Sequence, residues 1–454
     1  MNIIIVYEVK NREYDNALLL KSEFEKRNYK VEILCKNEMF QLFHKNAIVL
    51  IPNCYCTDDF NFYYYLLNNC GNILVNLQYE QVLSNKWEKI GFHNPKGRAK
   101  NVIHLCWGIN PYNRLKNNGI KKEKLKITGA IQLDFLRDEF VPFFYNRNEL
   151  AEKYEIPKQK KWVFYISSFT YVDKNNILNT EKLLKINNYN DEFINDFETI
   201  SIKSQKITLQ WFENLLDNNP EIIVIYRCHP MEKESYILEK TVSKYKNRFY
   251  CISELSVKQW ILASDIITTW VSTSIIECYM AKKECYVLRP IKIPNEIDSV
   301  IYKECRYIEN YSELQNLIAD NFNIENRVEF PIDPKKIFEY YDIAEKPTYQ
   351  RIVDEVEWIS KNDIGFKEKK YILNRWIFIV KNHIMPKIIL KNIYKFLFKN
   401  FNIKIKSSFI RRKFAVKDWE DNADRKMKNK EINEYKSNEL FNIIRNKKST
   451  EGNL

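Results

Sequence analysis

The chain has 454 residues, of which 45% are hydrophobic and 14% aromatic, and it carries a formal net charge of +13. This length predicts two to three compact domains, and the apolar content excludes a chain that is disordered throughout. The eight glycines are too few and too widely spaced for a Walker A loop or a GxGxxG fingerprint, which excludes P-loop and dinucleotide-fingerprint chemistry.

The start of the chain and its cysteines indicate the compartment. The run Ile3–Tyr7 is short and lacks a basic leader, which is typical of a buried strand rather than a signal peptide. No stretch approaches the roughly 18 consecutive apolar residues that would span a bilayer. Ten cysteines without a CxxC pair predict reduced, mostly buried thiols rather than a disulfide framework or a zinc site. We therefore expect a protein that is cytoplasmic or peripheral to a membrane.

Short apolar runs alternate with helical periodicity, a pattern typical of α/β folds with parallel sheets. The first predicted strands are Ile3–Tyr7, Lys30–Leu34, Ala47–Pro52, Asn72–Leu77 and Val102–Cys106. The second set is Trp162–Ile166, Glu221–Tyr226, Phe249–Ile252, Asp265–Thr268 and Glu284–Leu288. We predict two Rossmann-like domains, residues 1–150 and 151–345, that face a cleft. The ligand is expected there because the carboxyl ends of parallel strands form the binding edge.

Two further segments have distinct patterns. The stretch from Asp173 to Ser204 is polar and rich in asparagine, which predicts an insertion loop or a lid with short helices. Apolar residues at helical spacing between Pro347 and Lys361 predict a closing helix, assigned to residues 346–362.

The sharpest polar cluster follows the apolar run Ile222–Tyr226 and contains Arg227, His229 and Glu232 around Pro230. A guanidinium can donate two hydrogen bonds to a phosphate, and an imidazole can donate or carry charge. The cluster therefore predicts binding of a nucleotide-activated donor through its phosphates. The alternative is a histidine that caps the next helix beside an arginine in a surface ion pair.

Hydroxyl groups gather where a later helix is predicted to begin, at Ser272, Thr273 and Ser274. The N–H groups and positive dipole end of a helix start favour an anion. Glu277, about one turn further on, is a candidate partner for ribose hydroxyls. The alternative is that Ser272 or Thr273 is simply an N-cap. We favour donor binding because this cluster and the preceding one follow neighbouring predicted strands of one domain.

In the first domain, charged residues follow the first predicted strand directly. Glu8 leaves that strand first, and partial burial there would raise its pKa, so it is the first candidate for a catalytic base. Glu80, after the fourth predicted strand, is the second candidate. Lys10 and Arg12 are predicted to bind the acceptor. The alternatives are a helix-capping role for Glu8 and a solvated helix start at Arg12 and the residue after it.

Several segments, in order along the chain, resemble a known family: Glu8–Asp15, Leu18–Leu20, Trp107–Gly108, Lys126–Leu136 and Arg227–Glu232. The ordered string is similar to the bacterial surface carbohydrate biosynthesis proteins, GT-B-like relatives of glycosyltransferases that act in capsule or lipopolysaccharide assembly. The similarity covers about residues 1–345. Cys228 stands where a proline is common in that family, and Ala130–Ile131 replaces its asparagine–proline.

The resemblance implies a GT-B-like fold and cytoplasmic action on a sugar nucleotide, which is a co-substrate, so no cofactor is expected. Carried over by position, Arg227 and His229 would hold the donor phosphates. Glu277 or the Ser272–Ser274 turn would hold the ribose or a phosphate. No metal is expected, because positive protein groups can stabilise the departing phosphate. The Asp58–Asp59 pair is predicted to begin a helix rather than to form a DxD-type site.

These inferences predict a metal-independent glycosyltransferase that moves a sugar to a surface polysaccharide or a lipid-linked acceptor. One alternative is a polyol-phosphate transferase with a CDP-linked donor, such as CDP-glycerol. Another is a catalytically silent scaffold of a polysaccharide assembly complex. A sugar-nucleotide epimerase is less favoured, since its substrate would not need a membrane-binding segment.

The excess positive charge is concentrated near the end of the sequence. Between Phe366 and Phe414 there are 14 basic residues and one acid, so 14 minus 1 equals the whole net charge of +13. The rest of the chain carries 58 basic and 58 acidic residues. A cationic segment on a neutral body predicts a local anionic partner.

Lysines recur every fourth residue from Lys387 to Lys399 among apolar side chains, which predicts a basic amphipathic helix. We assign residues 363–415 as a membrane-binding segment that contacts an anionic membrane surface through residues 366–413, on the inner face of the cell membrane. Residues 416–454 are predicted to be a polar flexible tail. RNA binding and packing on the body are the alternatives. We expect no nucleic acid partner because no RNA-binding signature is present.

Overall fold

The computed structural model describes residues 2–36, 47–66, 73–172, 192–229, 232, 236–302, 307–320, 334–362 and 365–382, and the single positions 389 and 393. None of the helices in these ranges combines the length and the apolar character needed to span a membrane. The predicted amphipathic helix that contains Lys387 and Lys399, and the tail 416–454, lie outside the described residues, apart from Ile389 and Ile393.

Both sheets are built from short strands. In chain order these are β1 (Asn2–Tyr7), β2 (Lys30–Cys35), β3 (Ala47–Ile51), β4 (Ile73–Asn76), β5 (Ile103–Cys106), β6 (Leu125–Ile127), β7 (Lys161–Ile166), β8 (Ile222–Arg227), β9 (Phe249–Cys251), β10 (Ile266–Thr269), β11 (Cys285–Leu288) and β12 (Tyr307–Ile308).

The α-helices alternate with the strands. They are α1 (Lys10–Lys26), α2 (Thr57–Leu66), α3 (Asn85–Ile90), α4 (Ile109–Asn117), α5 (Arg147–Lys153), α6 (Glu192–Asn218), α7 (Tyr236–Lys244), α8 (Val257–Ala263), α9 (Ile275–Met280), α10 (Tyr311–Asp320), α11 (Pro334–Tyr340), α12 (Thr348–Asn362) and α13 (Tyr371–Lys381).

The first of two compact units comprises Met1–Gln81, His93–Asp134 and Phe338–Leu454. Its sheet has the order β2-β1-β3-β4-β5-β6, and every neighbouring pair is parallel. The five residues of β3 are all buried, as expected for a strand that helices cover on both faces. Arg27, just after α1, donates to Asp354 of α12 at 2.8 Å. Helix α12 is therefore attached to the first unit.

The second unit comprises Val82–Phe92 and Phe135–Ile337. Its sheet has the order β12-β11-β10-β7-β8-β9, again with parallel pairs throughout. The chain enters at β7, adds β8 and β9 on one side, and then returns to add β10, β11 and β12 on the other. In such sheets ligands bind outside the carboxyl ends of the strands, at the point where the order reverses. That point lies between β7 and β10.

The predicted α/β class with two Rossmann-like units is confirmed. The unit boundaries differ from the prediction of a single change near residue 150, because residues 82–92 belong with the second unit and 135–150 join it too. The predicted closing helix exists as α12, but it packs in the first unit through contacts such as that of Arg27. Residues 192–204, predicted as loop or lid, form the first half of the 27-residue helix α6.

The cysteines and the acidic pair agree with expectation. None of the eight cysteines in the described residues forms a disulfide bond, and five of them are buried. Asp58 and Asp59 lie in the first turn of α2, as predicted. The Asp59 carboxylate accepts hydrogen bonds from the backbone N–H groups of Tyr55 at 2.8 Å and Cys56 at 3.1 Å, so it caps that helix.

Candidate functional site

A buried carboxylate holds the turn that follows β1. Glu13 is 0% exposed and accepts hydrogen bonds from the backbone N–H groups of Glu8 at 2.7 Å and Val9 at 3.2 Å. Arg12 donates to the same carboxylate from Nε at 3.0 Å and Nη2 at 2.6 Å. Burial raises the pKa of Glu13, although Arg12 opposes the shift. The alternative of a solvated helix start is therefore wrong for Glu13, which fixes the turn carrying Glu8 and Arg12.

Glu8 is half-exposed at the edge of this turn. One of its carboxylate oxygens accepts from Lys36 Nζ at 3.0 Å and the other from Asn53 Nδ2 at 2.8 Å. The N-cap of helix α1 is Val9, and the helix has no side-chain capping bond. The Glu8 carboxylate is bonded to Lys36 and Asn53 instead, so the helix-capping alternative for Glu8 is also wrong. The catalytic role of Glu8 stays a prediction.

Glu80 lies beyond the end of β4 and joins this cluster through Arg12, which donates from Nη1 to its Oε1 at 3.2 Å. The other oxygen of Glu80 accepts from the Tyr55 hydroxyl at 3.2 Å and lies 3.2 Å from His93 Nδ1. Burial alone would raise the pKa of Glu80, but the contacts with His93 and Arg12 outweigh it and lower the pKa to about 2. Glu80 is thus ionised at neutral pH and a weak base, better suited to orient His93 and Tyr55.

Of the two predicted acceptor-binding residues, the structure brings one into this cluster. Arg12 bridges Glu13 and Glu80. The ammonium group of Lys10 instead lies 5.4 Å from the ring centroid of Tyr14, on the same helix. Acceptor binding by either residue stays a prediction.

In the second unit, Arg227 ends β8, next to the central strand β7. Its Nη1 donates to the backbone carbonyl of Glu254 at 2.9 Å and its Nη2 to that of Leu255 at 2.6 Å. Burial lowers the pKa of Arg227 to about 10, with the Glu277 carboxylate opposing the shift, so the guanidinium is charged at neutral pH. Because guanidinium carries further N–H donors, these contacts leave capacity for an anion.

Glu232 is buried, and its observed contacts are with the chain itself. One oxygen accepts from the Tyr226 hydroxyl at 2.8 Å and Gln205 Nε2 at 3.1 Å, and the other from the backbone N–H of His229 at 3.0 Å. Burial raises the pKa of Glu232, although these donors and Ser167 oppose the shift. Glu232 therefore holds the turn that carries His229, while His229 itself is half-buried at the strand end.

The hydroxyl-rich turn after β10 is held by internal hydrogen bonds. Ser272 Oγ accepts from the backbone N–H of Ser274 at 3.2 Å, and the Tyr302 hydroxyl contacts both backbone polar atoms of Ser272. Helix α9 follows Ser274, whose side chain accepts no capping bond. Because the Ser272 hydroxyl accepts from the Ser274 N–H, the capping alternative stays open for Ser272 beside the donor-binding prediction. Thr273 is exposed beside this turn.

Glu277, on α9, pairs with Lys258 of α8. Their Nζ and Oε1 atoms are 3.3 Å apart, and the two side chains are only 8% and 12% exposed. Glu277 also acts electrostatically on Arg227. Arg227, Lys258 and Glu277 therefore lie at the edge of the sheet formed by the ends of β8 and β10. This is the edge where ligands bind in such sheets.

Sequence reasoning missed His93, Glu13 and Lys258. The predicted site residues mostly follow predicted strands, whereas His93 lies in a connection after α3 and Lys258 lies on a helix. A usable signal existed for His93, because Gly91 and Pro95 flank it closely and mark a turn. Lys258 had none, since its role depends on the contact with Glu277.

No group of three or more His, Cys, Asp and Glu side chains in the described ranges could hold a metal ion. A cavity of about 690 Å³ lies between α2 and α13, with Asp58, Arg98 and Lys381 in its lining. None of the predicted site residues lines this cavity, so its volume does not mark the chemistry described above.

No protein-family model and no curated protein matches the chain. Solved structures with a similar fold include the S. aureus MnaA–UDP complex, with 13% identity and a TM-score of 0.48 over 79% of this chain and 97% of that one. Another is the Methanocaldococcus jannaschii UDP-GlcNAc 2-epimerase with UDP-GlcNAc and UDP, with 12% identity and a TM-score of 0.46 over 79% of this chain and 100% of that one. A Rickettsia africae glycosyltransferase has 11% identity and a TM-score of 0.43 over 80% of this chain and 99% of that one. At such identities and scores, the function of this chain must come from its own residues.

Proposed function

We propose that the protein is a glycosyltransferase that moves a sugar from a nucleotide-activated donor to a surface polysaccharide or a lipid-linked acceptor, without a metal ion. The observation that carries the proposal is the 3.2 Å contact between the ionised Glu80 carboxylate and His93 Nδ1. A carboxylate at Nδ1 favours the tautomer with its proton there, so Nε2 holds the lone pair that accepts a proton. The same carboxylate stabilises the imidazolium that forms.

His93 is a better candidate for the base than Glu8, which the sequence favoured. Both oxygens of Glu8 already accept hydrogen bonds, from Lys36 and Asn53. The imidazole of His93 is oriented by the Glu80 carboxylate. It also packs in a T-shaped arrangement with the Tyr55 ring, at a centroid distance of 4.6 Å. Histidine is the side chain that most often acts as a general base, and a positioned imidazole can serve in that role.

The second unit supplies the groups that a leaving nucleotide needs. Arg227 and His229 would hold the donor phosphates, with Lys258 adding positive charge nearby. Glu277 can still accept from a ribose hydroxyl, since a carboxylate has more acceptor sites than Lys258 occupies. Glu232 acts through His229 as a positioning residue. The hydroxyls of Ser272, Thr273 and Ser274 stay predicted donor contacts.

In the proposed reaction the acceptor hydroxyl gives its proton to His93 Nε2, and its oxygen forms a bond to the anomeric carbon of the donor sugar. The bond between that carbon and the phosphate oxygen breaks, and the nucleotide leaves with the electron pair. Positive side chains stabilise its charge, with Arg227 making the largest contribution.

The first experiment measures binding of CMP, CDP, UDP and GDP by calorimetry to the wild-type protein and to His229→Ala. We expect one nucleotide to bind, with at least about tenfold weaker binding to the variant because a charge-assisted hydrogen bond is lost. The control is His93→Ala, which should bind the nucleotide as the wild type does. Absence of binding for all four nucleotides would reject the proposal and favour a silent scaffold.

The second experiment measures turnover. With the donor identified by binding, His93→Ala should lose about 10²- to 10⁴-fold in kcat, which is the usual contribution of a general base. Glu80→Gln should lose activity in the same direction, and the double variant should lose little more than His93→Ala, since the two residues act as one unit. Full activity of His93→Ala would return the role of base to Glu8. Transfer of a polyol phosphate from a CDP-linked donor, or epimerisation without an acceptor, would replace the glycosyltransferase proposal.

A further inference from the structure

Helix α13 presents a continuous apolar face at the surface. Ile372, Leu373, Trp376, Ile377 and Val380 are each between 54% and 68% exposed. At 100° per residue they fall within an arc of about 140° on one side of the helix. Soluble proteins rarely expose so many large apolar side chains together unless the surface binds something.

The opposite side of the same helix is anchored to α2. The Tyr371 ring is buried and lies 5.2 Å from that of Tyr64, and the Phe378 ring lies 5.3 Å from that of Tyr65. Arg375 Nε donates to the backbone carbonyl of Tyr65 at 3.0 Å. The helix is therefore held with most of its apolar face directed away from α2, while Ile377, at one edge of that face, also lines the cavity beside α2.

Basic residues flank this face. Lys367, Lys369 and Lys370 precede the helix, and Lys381 ends it; all four are exposed. The acid of the segment, Glu368, is paired with Arg98 at 3.0 Å and also accepts from the Tyr65 hydroxyl. Its charge is compensated within the unit, so the flanks of α13 are positive.

We propose that α13 is a membrane-docking helix that lies in the headgroup plane of an anionic lipid bilayer, with its apolar face inserted and its flanking lysines at the lipid phosphates. At about 16 Å in length the helix can lie along the interface. Tryptophan is enriched at that depth, and lysines are attracted to anionic headgroups. These flanking cations favour an anionic lipid surface over a second copy of this chain, whose own α13 would carry the same charge.

The sequence beyond the helix has the same composition, with lysines and apolar residues interleaved as far as Lys399. The docking surface of α13 is thus continuous in sequence with further basic and apolar residues. The inference does not depend on the glycosyltransferase proposal, because vesicle binding requires no substrate.

The test is co-sedimentation of the full-length protein with vesicles of phosphatidylcholine alone and of equal parts phosphatidylcholine and phosphatidylglycerol. We expect binding to the mixed vesicles and at least about tenfold weaker binding to phosphatidylcholine. Trp376→Gln combined with Val380→Asn should weaken binding to the mixed vesicles by at least about tenfold, since apolar insertion is lost. Trp358→Gln, at an exposed tryptophan on α12, is the matched control and should bind as the wild type does.

A second pair of variants tests the charges. Lys369→Glu with Lys370→Glu should abolish the preference for anionic vesicles, whereas Lys121→Glu with Lys122→Glu, an exposed lysine pair elsewhere in the first unit, should keep it. Circular dichroism confirms that each variant is folded. Unchanged vesicle binding by the folded Trp376 and Val380 variant would overturn the proposal. A Trp376-dependent dimer that does not bind vesicles would also overturn it, in favour of a second copy as the occupant.

Discussion

Glu80 and Glu232 are carboxylates in corresponding places, each just beyond the carboxyl end of a strand within its sheet, yet their pKa values move in opposite directions. Burial acts to raise both. Glu80 is surrounded by Arg12 and His93, and its pKa falls to about 2. Glu232 is surrounded by neutral donors, and its pKa stays raised. For these two carboxylates, the charge of the neighbours accounts for the opposite directions of the pKa shifts.

The difference also separates two roles. A carboxylate that pairs with the partly exposed Arg12 and lies beside His93 can orient a catalytic group and respond to a substrate. A carboxylate enclosed by Tyr226, Gln205 and a backbone N–H has its acceptor capacity filled and serves to shape the turn. We therefore place Glu80 with the chemistry and Glu232 with the support of His229.

The largest expected effect is on stability. Glu232→Leu leaves several buried donors unsatisfied and should lower the free energy of unfolding by about 3 kcal/mol. Glu80→Leu should lower it by only about 1 kcal/mol, because Arg12 is partly exposed and water can replace its lost partner. Urea unfolding monitored by circular dichroism measures both, with Glu25→Ala, an exposed i,i+4 partner of Lys21, as a control near zero. Equal losses for the two variants would show that the enclosure of Glu232 does not matter.

Much of the fold could be predicted from the sequence because ten of the strands contain apolar runs that are long enough to recognise. The strands β6 and β12 were missed, since three and two residues carry no pattern. The return of the chain to the first unit through α12 was also missed. It depends on contacts between residues distant in sequence, such as the N–H of Thr348 donating to Asp134 at 3.0 Å.

The candidate site was predictable only in part. Arg227 and His229 end an apolar strand and could be found from that position alone. The turn around His93 could have been recognised, but the pairing of His93 with Glu80 and of Lys258 with Glu277 could not, because packing of helices and connections sets it. The prediction that burial would favour Glu8 as a base overlooked Lys36 and Asn53, which no spacing rule connects to Glu8.

The two carboxylates should change the pH dependence of stability in opposite directions. The pKa of Glu80 is depressed, so its stabilising contribution is complete above its ordinary pKa of 4.5 and is lost as pH falls toward 2. The pKa of Glu232 is raised, so the folded state takes up its proton first and gains stability as pH falls toward 4.5.

Thermal unfolding of Glu80→Gln and Glu232→Gln between pH 7 and pH 2 measures both contributions. The advantage of the wild type over Glu80→Gln should shrink below pH 4.5. The stability of the wild type relative to Glu232→Gln should increase as pH falls from 7 to 4.5. If both differences have the same sign of slope, the charge of the neighbours does not control these two groups.

The smallest expected effect isolates one hydroxyl at each carboxylate. Tyr226 and Tyr55 donate to Glu232 and Glu80 at 2.8 Å and 3.2 Å. Tyr226→Phe removes a donor from a buried carboxylate with no charged partner, so it should cost about 1.5 kcal/mol and make the pH dependence assigned to Glu232 steeper. Tyr55→Phe should lower the free energy of unfolding by about 0.5 kcal/mol. The loss of stability below pH 4.5 should stay nearly unchanged, because Arg12 and His93 still hold Glu80 ionised. Thermal unfolding at pH 7 and pH 4.5 distinguishes the two variants. A larger loss for Tyr55→Phe would mean that hydroxyl donation, and not neighbouring charge, sets the state of Glu80.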